Sequence, residues 1–497
     1  MPFWPLLATP FLTWVLLLGS ILLLLAWAEL LARKTQLRAG STRQLVHGAV
    51  GAVMLLTPFL FRGPFFPLLT GVLFAAINLL ALRRGQLQAL HGIRRDSYGT
   101  VAYPLAYTLL VALFWHRDPV ALMVGLLVLA IADPLAAVIG QRYGRTTFTL
   151  WHDPKTLAGS MTMLAASALL VLAGLLVLVP LAGAPALEWP QLLMAALPGA
   201  ALATVAEAQS KRGSDNLSVP LSVGLFVALL RLLPSDAWLA VAVWAGGSAL
   251  LLALATRMRA LDLSGALTAW ALGLLVFAAG GWDWVLPLVA FFGLSSALTR
   301  LRYSAVPASP RPHAGRRNLV QVTANGGVPL ALALAYGLWQ VEALYLLFLA
   351  ALAAATADTW ATEIGGWLGG QPRDIVTRQY VDLGASGGLT LAGTAGSLAG
   401  AGTLGAVGIV LQPAVVAVAD GVALTLIGFT AALLDSLLGA TLQVRYLNPG
   451  TGAVVEELAA AGEDAAVHSG WRWLDNDAVN LACTASGAVL GLLWVLA

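Results

Sequence analysis

An all-α fold, a polytopic bundle of transmembrane helices, is what this sequence predicts, and three observations carry the prediction. Hydrophobic residues make up 59% of the 497-residue chain, charged residues only 10%, and apolar runs long enough to cross a bilayer recur from end to end. No soluble core absorbs that much apolar surface. A hydrocarbon slab about 30 Å thick is crossed by about 20 apolar residues in a helix. Unsatisfied backbone groups cost several kcal/mol each in lipid, so a spanning segment is either a helix or part of a closed barrel. Continuous Leu/Ala/Val/Gly runs without strict alternation select helices.

In chain order the predicted spans are 9–32, 46–61, 64–82, 101–115, 119–140, 159–180, 189–207, 217–233, 238–256, 263–280, 283–299, 325–338, 342–364, 387–411, 414–440 and 478–497, about sixteen in all. The first, FLTWVLLLGSILLLLAWAELLARK, has no basic segment ahead of it and is too long for a secretory signal, so it reads as a retained span. The single cysteine, Cys483, lies in the last run, which leaves no intramolecular disulfide and no thiolate metal cluster. A net charge of +3 is too small to point to nucleic acid. With the N-terminus outside, 24 of the 27 basic residues fall in cytoplasmic loops and only Arg62, Arg117 and Arg231 on the other side. That asymmetry obeys the positive-inside rule, and predicts a multi-pass protein of the cell membrane with its active sites facing the cytoplasm.

Carboxylates inside apolar runs are costly and so point to function. Asp133 lies in VLAIADPLAAVIGQRYGR, and Glu207 closes a later span in ATVAEAQSKRGSDNLSVPL, with Asp215 and Asn216 just beyond. Between them a short loop ends in Lys155, Thr156, Leu157, Ala158, Gly159 and Ser160, where another span begins. Phosphoryl transfer needs such a set: carboxylates to hold Mg²⁺ on a nucleotide's phosphates, a lysine to neutralise oxygens, and a Gly/Ser helix start whose N–H groups accept an anion. G-x-x-x-x-G-K-[ST] is absent, and no kinase-type G-x-G-x-x-G loop appears, since the string Gly400–Gly405 that fits the pattern lies within the predicted span 387–411. Taken singly, a helix-end acid can equally be a cap or anchor, and Lys155 a positive-inside residue.

The pattern recurs. Residues 132–140 and 357–365 both read A-D-x-x-A-x-x-I-G, placing Asp358 where the first half has Asp133. Gly393-Thr394 then opens a span as Gly159-Ser160 does, and Asp435, Asp475, Asn476, Asp477 and Asn480 follow opposite Glu207, Asp215 and Asn216. Shared packing glycines would explain the glycines but not the acids. The ordered series predicts two related halves, 1–235 and 236–497, of about eight spans each.

RQLVHGAV, RRDSYGTVAYPLAY, ADPLAAVIGQRYGR, KTLAGS and SDNLSVPL together resemble the phytol kinase and dolichol kinase family across the first half. The resemblance implies phosphorylation of an isoprenoid alcohol, with CTP the usual donor. It places Asp133, Lys155, Thr156, Gly159, Ser160, Glu207, Asp215, Asn216 and Arg95 at the nucleotide and Mg²⁺, and departs from the family at Gln44, where a lysine is common. In the second half SSALTRLR, NLVQVTANGGV, ATADTWATEIG, GGLTLAGT, DSLLGATLQ and DNDAVNL resemble the family of plant phytyl phosphate kinase, implying a second phosphorylation from monophosphate to diphosphate.

Asp133 and Asp358 are then the candidates for Mg²⁺ ligand or general base, and Lys155 for a phosphate contact. Asp435, Asp475 and Asp477 are candidate metal ligands, and Gly393, Thr394, Asn476 and Asn480 candidate nucleotide contacts. The second half has no lysine equivalent to Lys155, and Arg373 or Arg378 is the expected substitute. Two other functions fit the same sequence. A CDP-lipid cytidylyltransferase shares an acidic motif before a Lys-Thr span start, and a repeat-built transporter shares the halves, although carriers place their polar groups near the midplane.

Overall fold

A computed structural model describes residues 9–34, 39–84, 97–305, 316–450, 454–456, 458–462 and 465–497. The protein is a polytopic helical membrane bundle. Fourteen helices among the described residues are long and apolar enough to cross a membrane, and two shorter apolar ones, Gln44–Leu60 and Gly99–Phe114, complete the sixteen predicted runs. Side chains such as Leu250, Leu391 and Val410 are more than 70% exposed, the outward apolar surface expected of helices that meet lipid.

The chain divides into two compact units, Met1–Gly246 and Gly247–Ala497. The division falls within the helix Ala237–Arg257, whereas the sequence pattern puts it one loop earlier, ahead of that helix. In the first unit the helix beginning at Pro119 is central: Val120–Leu126 and Val128–Leu129 are essentially inaccessible. A segment apolar on every side buries itself on every side. It is wrapped by the helices Leu157–Leu181, Asp215–Leu232, Gly99–Phe114 and Ala39–Leu55. In the second unit Ala343–Leu368 takes that place, with Leu347–Ala357 buried, and packs on Leu391–Leu411, Asn476–Leu496, Val418–Thr441, Trp282–Ala305 and Leu319–Trp339. Its alanine-rich stretch lets neighbours approach closely, the usual basis of helix association in lipid.

The two central helices differ at one point. Between Val128 and Ala132 the first is a π-helical turn, in which the N–H of Asp133 reaches back to the carbonyl of Val128; the second is α-helical throughout.

Short strands that the sequence did not announce stand between the helices. Thr147–Phe148 pairs antiparallel with Lys155–Thr156 in the first unit, and Arg373–Asp374 with Gly388–Leu389 in the second. A third sheet joins Arg445–Leu447 to Val454–Val455 and Ala466–Ser469.

Candidate active site

In the first unit, Lys155 is the centre of the polar cluster. The hairpin carries it to the mouth of the helix Leu157–Leu181, whose first turn is capped by the Thr156 hydroxyl accepting from the Gly159 N–H at 3.1 Å. Lys155 Nζ donates to Glu207 Oε1 at 2.7 Å and to Asp215 Oδ2 at 3.3 Å. Ser160 Oγ donates to Glu207 Oε2 at 3.4 Å and Ser210 Oγ to Asp215 Oδ2 at 3.0 Å. Burial pulls the Lys155 ammonium down, but Asp215, Glu207 and Asp133 outweigh it and hold the group above its ordinary value. Lys155 is therefore a fixed positive charge at neutral pH and no base.

The π turn explains the neighbourhood of Asp133. In a regular α-helix the Asp133 N–H would bond the Leu129 carbonyl; here it bonds Val128 instead, and the Leu129 oxygen receives His47 Nε2 at 2.9 Å. π turns of this kind gather at functional sites. The same ring nitrogen lies 3.8 Å from Asp133 Oδ2, and Tyr103 packs edge-on against the imidazole, ring centres 4.6 Å apart.

These groups share one cavity of about 810 Å³, within the range of sites for small organic ligands. Its lining comprises a polar set that includes Asp133, Lys155, Thr156, Gly159, Glu207, Asp215 and Asn216, and an apolar set that includes Ile21, Leu25, Val50, Met54, Phe74 and Tyr107. The predicted first-half residues thus meet in one place, with Ser160 reaching it through Glu207. Arg95 lies outside the described residues. Gln44 lines the cavity as well.

His47, Asp153 and Tyr103 also line the cavity, and the sequence reading gave them no role. Asp153 stands two residues before Lys155 and was within reach of that reading. Its Oδ2 accepts from the Arg212 N–H at 2.7 Å and ties the hairpin to the loop before Asp215.

In the second unit, three helices bring together Asp358, Asp435 and Cys483, whose charges and thiol lie within electrostatic reach of one another. The thiol donates to the Ala431 carbonyl at 3.5 Å. Among the described residues neither aspartate forms an ion pair, and Asp435 Oδ2 is enclosed without a hydrogen-bond partner. The cap recurs: Thr390 accepts from the Gly393 N–H at 2.9 Å, and Thr394 follows in the first turn. Asp475 caps the last helix by accepting from the Ala478 N–H at 2.9 Å. Asn476, Asp477 and Asn480 lie in that helix's first turns, and no described hydrogen bond joins Asp475, Asn476 or Asn480 to Asp358 or Asp435. Arg373 and Arg378 sit on the exposed hairpin, where Arg373 Nη2 donates to Tyr380 Oη at 2.8 Å. They line a small cleft with Asp374 and Leu433 and make no described contact with the aspartate pair.

Among the described residues no three metal-ligating side chains stand together as a ready cage. Mg²⁺ on a nucleotide needs only one or two carboxylates, the phosphates supplying other oxygens. The enclosed, unpartnered oxygen of Asp435 beside Asp358 fits that demand.

Fold and site together define a polytopic membrane protein with a cavity lined by apolar side chains and by a cluster of carboxylates gathered around one lysine. Comparison with known proteins narrows the class. A Synechocystis protein named phytol kinase is 32% identical over 237 residues, covering 46% of this chain and 90% of that relative. The chain belongs to the same family as that protein. Residues 246–488 match the family described as integral membrane protein DUF92. The Arabidopsis thaliana protein PGR is 30% identical, covering 45% of this chain and 85% of its own length. An uncharacterized membrane protein of Methanocaldococcus jannaschii is 26% identical, covering 48% and 87%. No solved structure matches the chain significantly.

Proposed function

We propose that the protein is a membrane kinase that phosphorylates an isoprenoid alcohol of the phytol type in its first unit and converts the monophosphate to the diphosphate in its second, with CTP as donor, at the cytoplasmic face of the cell membrane. The observation that carries the reading is one cavity whose lining divides into a charged set, with Asp133, Lys155, Glu207 and Asp215, and an apolar set, with Ile21, Leu25, Met54 and Phe74. An alcohol with a long apolar tail fits that division, and the relatives named phytol kinase share its chemistry in name.

In the first unit the tail lies along the apolar wall and directs the hydroxyl toward Asp133. The hydroxyl oxygen forms a bond to the terminal phosphorus of the nucleotide, the bond from that phosphorus to its bridging oxygen breaks, and the hydroxyl proton passes to the Asp133 carboxylate. Lys155 neutralises phosphate oxygens from a position fixed by Glu207 and Asp215. Mg²⁺ brought with the nucleotide would add charge neutralisation; Asp133, Glu207 and Asp215 would hold it in the first unit, and Asp358 and Asp435 in the second. Catalysis here is positioning and electrostatics.

Incubating protein-bearing membranes with labelled CTP or ATP and a panel of isoprenols tests the reading. Phosphate label in the lipid phase is expected, first in monophosphate and then in diphosphate. A CDP-lipid product would instead mark a cytidylyltransferase, and no lipid-phase label with any donor would remove the kinase reading.

A further inference from the structure

The described lining of the first unit's cavity holds one lysine and one arginine, Lys155 and Arg212. Lys155 is already engaged: its ammonium meets Glu207 at 2.7 Å and Asp215 at 3.3 Å, one positive charge between two carboxylates. Arg212 belongs to the short loop that joins those same acids, five residues after Glu207 and three before Asp215. Among the described residues its guanidinium makes no hydrogen bond, ion pair or ring contact. The neighbouring Lys211 is occupied elsewhere, with Nζ 5.0 Å from the Trp151 ring centre.

The backbone of Arg212 is held more firmly than an exposed side chain requires. Its φ is 51°, and Gly213 follows at 86°, so an arginine occupies the left-handed region that favours glycine. Three hydrogen bonds from two other segments keep it there. The N–H donates to Asp153 Oδ2 at 2.7 Å, and the carbonyl accepts from the Tyr98 N–H at 2.9 Å and from Ser97 Oγ at 3.2 Å. The loop is also pressed against the start of the helix Gly99–Phe114: a Cβ on Gly213 would stand 2.7 Å from Gly99 Cα, and Asn216 Nδ2 donates to the Gly99 carbonyl at 3.0 Å. Arg259 shares the left-handed backbone, at φ 60°, for a purely local reason, since it ends the helix Ala237–Arg257 and donates to the Thr256 carbonyl. Arg212 is fixed instead by groups 59 and 115 residues away, and Ser97 and Asp153 line the cavity with it. Strain that the surroundings over-determine in this way collects at ligand sites.

A phosphate that enters this cavity meets the carboxylates around Lys155, which repel it. It therefore needs a cation that those carboxylates have not already neutralised. Arginine offers a planar fork that takes phosphate oxygens two at a time and stays charged. We infer that Arg212 is a phosphate-binding residue of the first unit, its guanidinium brought by the strained loop to an oxyanion of the nucleotide or of the phosphorylated lipid. A glycine would give the loop the same shape without strain; the arginine adds the charge. The identity of the ligand rests on the proposed kinase reading, whereas the test below is read without turnover.

Full-length protein in lipid nanodiscs is treated with phenylglyoxal, alone, with CTP and Mg²⁺, and with farnesyl monophosphate, and modification is read residue by residue through peptide mass spectrometry. Labelling of Arg212 should slow about tenfold or more with ligand, while that of Arg259, outside the cavity, should not change. Protection by CTP alone assigns the phosphate to the donor, and protection by farnesyl monophosphate alone assigns it to the lipid; either supports the site. Arg212→Gly suits the left-handed backbone and should melt no lower than wild type, yet bind the protecting ligand about tenfold or more weakly at one site, with Arg212→Lys recovering part of the loss. Undiminished affinity in Arg212→Gly would mean that the ligand merely covers the guanidinium, and overturns the inference. So does ligand binding by wild type that leaves Arg212 labelling unchanged, with the kinase reading still standing. Wild-type protein that binds neither ligand overturns both.

Discussion

The two units build the same corner and equip it differently. Each has a central helix buried for most of its length, an aspartate where that burial ends, a glycine seven residues on, a two-stranded hairpin, and a threonine that caps the next helix. The cation differs: Lys155 comes from the hairpin of the first unit, whereas in the second Arg302 comes from the helix Trp282–Ala305 and meets Glu363 at 3.2 Å. The backbone differs too, since the first unit places a π turn before its aspartate and pairs the released carbonyl with His47. Packing thus holds the shared parts to one pattern, and the divergent parts are the groups that would face the ligand.

The largest effects expected are those that separate the two aspartates. Asp133→Asn keeps the side chain's size but removes its charge, and should stop conversion of alcohol to monophosphate by 10²-fold or more, the scale for an electrostatic group acting in the transition state. Added monophosphate should still become diphosphate. Asp358→Asn should do the reverse, and monophosphate should accumulate. Product chromatography reads both; parallel loss of the two activities in each variant would mean that the units do not divide the steps.

Next in size is Lys155, which has no structural equal in the second unit. Lys155→Met leaves Glu207 and Asp215 facing each other, and breaking a buried pair costs about 3–5 kcal/mol where burial is complete; here the side chains keep 11–17% of their exposure, so a smaller loss is expected. Lys155 is held above its ordinary value of 10.5, so its contribution is full below that value and disappears as pH rises through the higher folded value. The melting difference between wild type and Lys155→Met should accordingly stay constant from neutral pH upward and shrink only in strong alkali. A difference that shrinks near neutrality would show that Lys155 is not held charged by its two carboxylates.

How much of this was legible beforehand follows from the range of the interactions. Span lengths and the A-D-x-x-A-x-x-I-G repeat are local: the first lead to the helices observed, and the second singles out Asp133 and Asp358. Lys155, Glu207 and Asp215 were named because each sits at a span end, although their contact bridges 52 and 60 residues. The π turn was hidden, because VLAIADP carries no signal separating it from ordinary helix before a proline. The Arg302–Glu363 pair was hidden for another reason: 61 residues separate the partners, and Arg302 reads as one more loop cation beside Arg300. Arg373 and Arg378, the expected substitutes for Lys155, are both exposed on the hairpin.

The smallest effect offers the sharpest test of whether the two corners are one design. A Cβ added at Gly140 would stand 2.7 Å from Thr156 Oγ1 and 3.2 Å from Gly159 Cα; one added at Gly365 would stand 2.8 Å from Thr390 Oγ1 and 3.3 Å from Gly393 Cα. Gly→Ala at either position should cost about 1–3 kcal/mol through overpacking, the helix propensity of alanine returning part of it. Thr156→Ala or Thr390→Ala should cost about 1 kcal/mol through loss of the cap. The two changes are not independent, since the hydroxyl that caps the helix is also the atom the new methyl strikes. Each double variant should therefore be more stable than the sum of its singles predicts, by about 0.5 kcal/mol or more, and the coupling should carry the same sign and similar size in both units. Thermal melting of the four singles and two doubles in one detergent measures it. Coupling in one unit with strict additivity in the other would show that the likeness of the two caps is superficial, and would weaken the pairing of Asp133 with Asp358 that rests on the same register.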